Sequence, residues 1–207
     1  MSTPAASNRP ALVDVARRIE EDERLDGLVG ALRPAARALV SDPGRRALLL
    51  GKQLGHALHP VLTDAPLGAW MSATVLDLVG GRSARPAARR LVGFGVLAAV
   101  PTALTGLAEW SHTTGRDSRV GVVHAASSTV ALVLFGASWV SRGRDHHLKG
   151  TVLSLMGGLT AGVGGYLGAH LAVARNVASR DAAFSGSLPQ TSGPAAADPA
   201  LDGPIGI

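Results

Sequence analysis

The chain has 207 residues, of which 46% are hydrophobic, only 3% aromatic and 17% charged. This charged fraction is low for a soluble domain, and a soluble core with so few aromatic residues would lack its usual large side chains. The absence of cysteine excludes disulfides, iron–sulfur clusters, thiolate zinc sites and covalent c-type haem. The net charge of +5 suits nucleic acid or an anionic membrane, and the location of the basic residues decides between them.

Residues 1–44 are expected to form an amphipathic helical segment ahead of the membrane domain. Residues 1–10 are polar, and apolar residues then recur at helical spacing among charged ones to about Val40. This pattern is typical of helices that lie on a membrane or against a bundle, and also of a solvated helical hairpin. No signal peptide is predicted, because four consecutive acids from Glu20 interrupt the first apolar run.

Residues 45–178 are predicted to be the membrane domain, because charge-free windows recur there at lengths that match a bilayer. The three clearest windows are residues 91–108, 120–140 and 150–174. A fourth candidate, residues 60–79, carries Asp64 and Asp77. About 20 helical residues cross a hydrocarbon layer of about 30 Å, and a lipid-exposed strand or loop would leave backbone groups without partners. The predicted fold class is therefore all-α: an integral membrane four-helix bundle with an amphipathic helical N-terminal segment.

Four spans place both termini on the same side of the membrane, at the end of the bundle that we call the terminal face. Residues 179–207 are rich in Pro, Gly, Ala and Ser, which predicts a disordered tail. The loops of the opposite end, the basic face, carry seven positive residues: Arg82, Arg85, Arg89, Arg90, Arg142, Arg144 and Lys149. The loops alone place the basic face in the cytoplasm of a bacterial plasma membrane, whereas counting flanking charges makes the two faces equal. The side on which the termini lie stays open.

Polar residues of the predicted spans and their ends converge at the terminal face. His124 lies four residues into the third span, and His170 lies four residues before the end of the fourth. Ionisable groups inside a bilayer are costly and are therefore candidates for function. Six residues form the predicted cluster: His56, His59, Asp64, Glu109, His124 and His170.

Two kinds of ligand suit this cluster. Two histidines on facing helices of a bundle can hold haem iron, and the predicted pair is His124 with His170, with His59 as the alternate. Tyr166, one turn from His170, joins the predicted haem-binding residues. One b-type haem at most is expected, because the basic face has no histidine within a span. A non-haem transition metal would instead use the imidazoles and carboxylates of the whole six-residue cluster.

Three stretches of the sequence resemble a bacterial membrane family. The most specific is residues 55–70, with GHALHP followed by LTDAPLGAW; the others are LTGLAEW at 104–110 and GGYLGAHL at 164–171. Over about residues 50–174 the chain resembles the family called domain of unknown function 2231. It departs from the family pattern at Glu109, where Asp is expected, and at Ala169, where Gly is common.

The resemblance implies a four-helix membrane bundle without an established activity. Some similar proteins continue into a Rieske iron–sulfur domain, which implies a link to electron transfer. The tail of this chain has neither the Cys nor the His that such a cluster needs, so a redox partner would be a separate protein.

Three functions stay open at this point. The first is a structural or accessory membrane subunit whose clustered polar groups satisfy one another. The second is a b-type haem electron-transfer subunit, and the third is a non-haem metal or proton site. No catalytic residues are predicted, because Ser111, His112 and Asp117 lack the arrangement of a hydrolase triad. The expected partners are membrane lipids, a redox protein and a second copy of the chain through the glycine-rich fourth span, but not nucleic acid.

Overall fold

The protein is all-helical, as the sequence predicts. The computed structural model describes residues 10–184, and within this range there is no β-strand. Three short helices come first: α1 (Ala11–Glu21), α2 (Asp26–Leu39) and α3 (Pro43–Leu49). Four long helices follow: α4 (Leu58–Val79), α5 (Arg85–Trp110), α6 (Gly115–Gly143) and α7 (His147–Ala169). A π-helical turn, His170–Ala174, continues α7, and Ala182–Phe184 forms a short 3-10 helix where the predicted tail begins. The rest of that predicted tail lies outside the described residues.

Three helices are long and apolar enough to cross a membrane. With their flanking turns they are Arg82–Trp110, Gly115–Gly143 and His147–Ala174. Helix α4 is 22 residues long but is not one of the three. Its two carboxylates, Asp64 and Asp77, lower its hydropathy, as the sequence already indicated. Length and composition therefore support three of the four predicted spans. They do not by themselves support α4 as the fourth.

The four long helices pack as two hairpins, α4 with α5 and α6 with α7. Helix α5 also packs against α6, and α4 packs more lightly against α7, so α4 and α6 lie diagonally across the bundle. One core cluster joins the hairpins through Trp70, Val92 and Phe135. The rings of Trp70 and Phe135 are stacked, with centroids 4.0 Å apart and an interplanar angle of 7°.

Three residue pairs cross the bundle between α4 and α6 in the same order along both helices. They are His59–His124, Trp70–Phe135 and Asp77–Arg142, and the members of each pair are 65 positions apart in the chain. Equal spacing at three depths is what two hairpins related by an approximate two-fold axis would give. The sequence itself shows no internal repeat, because most of the paired residues differ in type.

The same approximate two-fold axis relates two glycines, 62 positions apart on α5 and α7, that make room for the stacked rings. A Cβ at Gly95 of α5 would overlap the Trp70 indole, and a Cβ at Gly157 of α7 would lie 3.0 Å from the Phe135 ring. Gly158, the next residue, has no neighbouring atom within 4 Å of such a Cβ. Gly157 therefore packs in the core and Gly158 faces outward.

We expect Gly95→Ala to destabilise the protein, because the added methyl group meets a buried indole. Overpacking of this kind costs about 1–3 kcal/mol. Gly68→Ala, on the exposed side of α4, adds the same methyl group where no atom lies within 4 Å and serves as the control. Thermal unfolding of the detergent-purified variants measures the difference, and equal melting temperatures for the two variants would contradict this packing.

The N-terminal helices pack against the bundle at the terminal face. In α2, the Arg33 guanidinium lies 4.7 Å from the centre of the Trp110 ring and donates hydrogen bonds to Thr113 O (2.8 Å) and Ser118 Oγ (2.8 Å). The Arg119 guanidinium donates to both carboxylate oxygens of Asp26 at 2.7 Å.

The hydrogen bonds from Arg119 lower the pKa of Asp26 below its ordinary value. This contact between α2 and α6 therefore stabilises the fold above the pKa of the unfolded carboxyl group, and the contribution is lost as the pH falls through the lower folded value.

Candidate functional site

His59 is held in the first turn of α4 with a defined orientation. Its neighbour Pro60 lacks an N–H and fits the start of a helix, where that hydrogen bond is not made. The imidazole Nδ1 lies 2.9 Å from the Thr102 carbonyl oxygen of α5. A carbonyl oxygen only accepts, so Nδ1 carries the proton. Gly106, one turn further along α5, lies directly against the ring and has no side chain to displace it.

His124 of α6 repeats this arrangement on the other hairpin. Its Nδ1 lies 2.7 Å from the Gly164 carbonyl oxygen of α7, and the ring packs against Gly168 one turn further on. Nδ1 is again the donor. For both histidines, Nε2 makes no hydrogen bond to any residue of the range 10–184. Each ring therefore keeps Nε2, an imidazole nitrogen of the kind that binds metals, without a hydrogen-bond partner in that range.

The two imidazoles meet across the core of the bundle. Their centroids are 6.1 Å apart and their planes are nearly perpendicular, at 86°. We call His59 and His124 the histidine pair.

His170, the predicted partner of His124, lies elsewhere. The His124 imidazole is hydrogen-bonded to the Gly164 carbonyl oxygen. His170 lies six residues further on, in the π-helical turn that continues α7, which is about 9 Å away at 1.5 Å per residue. The His170 Nε2 instead lies 2.8 Å from Glu20 Oε1 of α1. Tyr166, also predicted to bind haem, donates its hydroxyl proton to Leu12 O at 2.9 Å. The structure thus brings His59 together with His124, and uses His170 and Tyr166 to fix α1.

Glu20 is the centre of that attachment. It is 6% exposed, although α1 is a surface helix, and Arg175 Nε lies 3.8 Å from its carboxylate. Arg175 also binds Asp117 of α6 at 2.7 Å. Breaking one partner of a buried charged pair is costly, because the other is left unpaired.

We expect Glu20→Ala to release α1 from the bundle. Trypsin should then cleave at Arg17 and Arg18 about tenfold faster, because the helix that protects these sites opens more often. Glu21→Ala is the matched control, since Glu21 is half-exposed and its ion pair within the described part of the chain is with Arg17 of the same helix. Equal cleavage rates in the two variants would contradict the role of Glu20.

The remaining predicted ligands lie apart from the histidine pair. Glu109 Oε2 accepts hydrogen bonds from the backbone N (3.0 Å) and the hydroxyl (2.8 Å) of Ser179. Its Oε1 is buried and has no hydrogen-bond partner within residues 10–184. His56 forms an isolated bridge with Arg180. Both His56 and Ser179 line an open cavity of about 410 Å³. Asp64 is exposed on the outer side of α4.

These positions bear on the non-haem metal site that the sequence suggested. Among the described residues, no three His, Asp or Glu side chains lie close enough to hold a metal ion together. The six-residue cluster divides into the histidine pair, the His170–Glu20 contact, the surroundings of Glu109 with His56, and the exposed Asp64.

Sequence reasoning missed the residues that support the histidine pair. Thr102 and Gly164 supply the carbonyl oxygens, while Gly106 and Gly168 supply the space. The repeated spacing of four residues between carbonyl and glycine on α5 and α7 was the available signal. It has meaning only once α5 is known to pair with α4, and α7 with α6.

Sequence reasoning also missed the ion pair at the basic face. Arg142 donates to the two Asp77 oxygens at 2.7 and 2.5 Å, and its side chain is fully buried. Opposite charges at the same end of two spans should pair, because an isolated charge inside a membrane is costly. That rule could have predicted this contact from the sequence.

Fold and composition together define the class: an all-helical protein with helices that can cross a membrane. A family model described as "Predicted membrane protein (DUF2231)" matches residues 55–181. The chain belongs to this family, which confirms the resemblance carried by the motifs at 55–70, 104–110 and 164–171. Neither a curated protein nor a solved structure matches the chain.

Proposed function

We propose that this protein is an accessory electron-transfer subunit that crosses the membrane four times and binds one b-type haem between His59 and His124. The observation that carries the proposal is the matched support of the two imidazoles. Each Nδ1–H is held by a backbone carbonyl of the neighbouring helix, and each Nε2 is left without a partner among residues 10–184. Metal-binding histidines are usually oriented by such a hydrogen bond.

The number of ligands favours haem over a bare metal ion. A structural zinc ion takes four protein ligands and a catalytic one takes three, whereas haem iron is already held by the porphyrin nitrogens and would need only one or two ligands from the protein. The histidine pair offers two imidazoles from opposite sides of the core. A b-type haem supplies reversible one-electron chemistry when it is bound.

The residues around the pair would perform three tasks. Thr102 and Gly164 would fix the tautomer, so that Nε2 is the nitrogen left to bind the iron. Gly106 and Gly168 let the imidazoles lie against the helix backbone. The stacked Trp70 and Phe135 rings close the core on the side of the basic face, which keeps water from that side.

The four-span topology supports this function but depends on α4. Helix α4 packs along the whole hairpin with α5, and Val61, Met71 and Val75 on its outer side are exposed as lipid-facing residues would be. Asp64 lies on that same outer side. The bundle would place both termini at one face of a bacterial plasma membrane, with membrane lipids and a separate redox protein as partners.

A homodimer through the glycine-rich fourth span also remains a prediction. Gly158, Gly162 and Gly165 of α7 have open space beside them. Small residues four apart, such as Gly158 and Gly162, allow close helix contact in lipid.

The test is an absorption spectrum of the detergent-purified full chain, expressed with haem supplied, in the oxidised and dithionite-reduced states. We expect a Soret band and sharp reduced α and β bands at about one haem per chain, with no stoichiometric zinc, copper or non-haem iron. A folded, colourless and metal-free protein would overturn the proposal and leave a structural membrane subunit. A colourless protein with one metal ion per chain would replace haem by a non-haem site.

A further inference from the structure

The basic face contains a cavity that the histidine pair does not explain. It has a volume of about 280 Å³ and lies where α4 ends and where α5 and α7 begin. Its lining includes Arg82, Arg85, His147 and Thr151. We propose that this cavity binds the phosphate group of an anionic phospholipid.

The polar groups around the cavity are mostly unused hydrogen-bond donors. The guanidinium groups of Arg82 and Arg85 form no hydrogen bond or ion pair with the part of the chain that the structure describes, and neither does the Thr151 hydroxyl. His147 Nδ1 is buried and has no hydrogen-bond partner among the residues that the structure describes. A buried polar atom of this kind is costly unless a ligand or water satisfies it. Donors without acceptors are what a phosphate, with its several acceptor oxygens, requires.

The acid in the cavity wall is already neutralised. Asp77 lines the cavity, but both of its oxygens accept hydrogen bonds from the buried Arg142. Of the charged residues that line the cavity, Arg82 and Arg85 therefore remain to act on a ligand, and both are positive. The nearest further acid is Asp145, which is fully exposed and lies 3.9 Å from His147 Nε2.

One helix end adds to this field. Helix α7 begins at His147 and has no side-chain cap. The unbonded N–H groups of a first helical turn attract anions and hydrogen-bond them. Here they act in addition to the arginines and the unpaired Nδ1.

The surroundings favour a lipid over a soluble phosphate. Leu78, Val79 and Leu148 beside the cavity are 67%, 78% and 80% exposed. They lie at the ends of helices that would be in the membrane, where acyl chains would cover them. Basic pockets between helices at a membrane face are typical sites for anionic lipid headgroups.

The test compares two variants that each remove two positive charges from the basic face. Arg82→Gln with Arg85→Gln alters the cavity, whereas Arg90→Gln with Arg144→Gln alters exposed arginines outside it. Native mass spectrometry of the detergent-purified full chain, titrated with phosphatidylglycerol or with phosphatidylcholine, gives the affinities. We expect the cavity variant to bind phosphatidylglycerol about tenfold more weakly and the control variant to bind it nearly as the natural protein does.

Further arms separate a built site from surface charge. The single variant Thr151→Val removes one donor without removing charge, and we expect it to weaken phosphatidylglycerol about threefold, the scale of one lost hydrogen bond. Equal losses in the two double variants, or equal affinities of the natural protein for the two lipids, would overturn the proposal. Displacement of the lipid by inorganic phosphate at a similar concentration would overturn the lipid assignment and make the ligand a free phosphate.

Discussion

Replacing either member of the histidine pair should abolish haem binding. In His59→Ala and in His124→Ala, we expect the reduced α band to fall at least tenfold, because one axial ligand is lost and the remaining imidazole alone does not fix the iron. His170→Ala should retain the band, since His170 contacts Glu20 and not the pair. The measurement is the reduced-minus-oxidised spectrum at equal protein concentration.

Two further variants keep this prediction specific. His112→Ala removes an exposed histidine at the same face and is the matched control. His59→Met replaces one imidazole by a thioether, which also binds haem iron, and it should retain haem at a higher reduction potential. A merely structural histidine would produce no such shift. Loss of the α band in His170→Ala but not in His59→Ala would show that the pair is His124 with His170.

The second large effect is expected from the buried ion pair at the basic face. The side chains of Asp77 and Arg142 are 5% and 0% exposed, and Arg142 Nε also donates to Ser138 Oγ at 3.1 Å. Asp77→Asn leaves the arginine charge buried without its counter-charge. Such a loss costs about 3–5 kcal/mol of stability. Equilibrium unfolding of the detergent-purified variant measures this cost.

A double variant distinguishes pairing from general damage. Asp77→Asn combined with Arg142→Gln removes both charges, so it should be more stable than Asp77→Asn alone by about 1–3 kcal/mol. Asp145→Asn is the control, because Asp145 is an exposed acid at the same face. If the stability lost in the double variant equals the sum of the losses in Asp77→Asn and Arg142→Gln, the two residues act independently and this pairing is wrong.

Much of the architecture is readable from the sequence because it depends on local properties. A helix that crosses a bilayer must be about 20 residues long and apolar, and residues 91–108, 120–140 and 150–174 meet this condition without reference to any neighbour. The position of α4 was predicted for the same reason, within two residues at its start. Motifs such as GHALHP are also local, and they carried the family assignment.

The partners of each polar residue could not be predicted in the same way. Depth along the membrane normal follows from counting residues, and by that measure His124 and His170 lie equally deep while His59 lies at the boundary of the same face. Which two of them meet depends on the order of the helices around the bundle and on their rotation. The diagonal placement of α4 and α6 brings His59 to His124, while the docking of α1 brings Glu20 to His170.

By itself, then, the sequence determined the helical class, the apolar spans, the family and the set of histidines and acids at one end of the bundle. The tertiary structure decided which members of that set form a pair, that Asp77 is bound by Arg142, and that two unlike hairpins share one arrangement. The physical reason is that the length and hydropathy a helix needs to cross a bilayer are properties of that one helix. A contact between side chains is a property of two, and it is fixed by packing between residues that are about 65 positions apart in the chain.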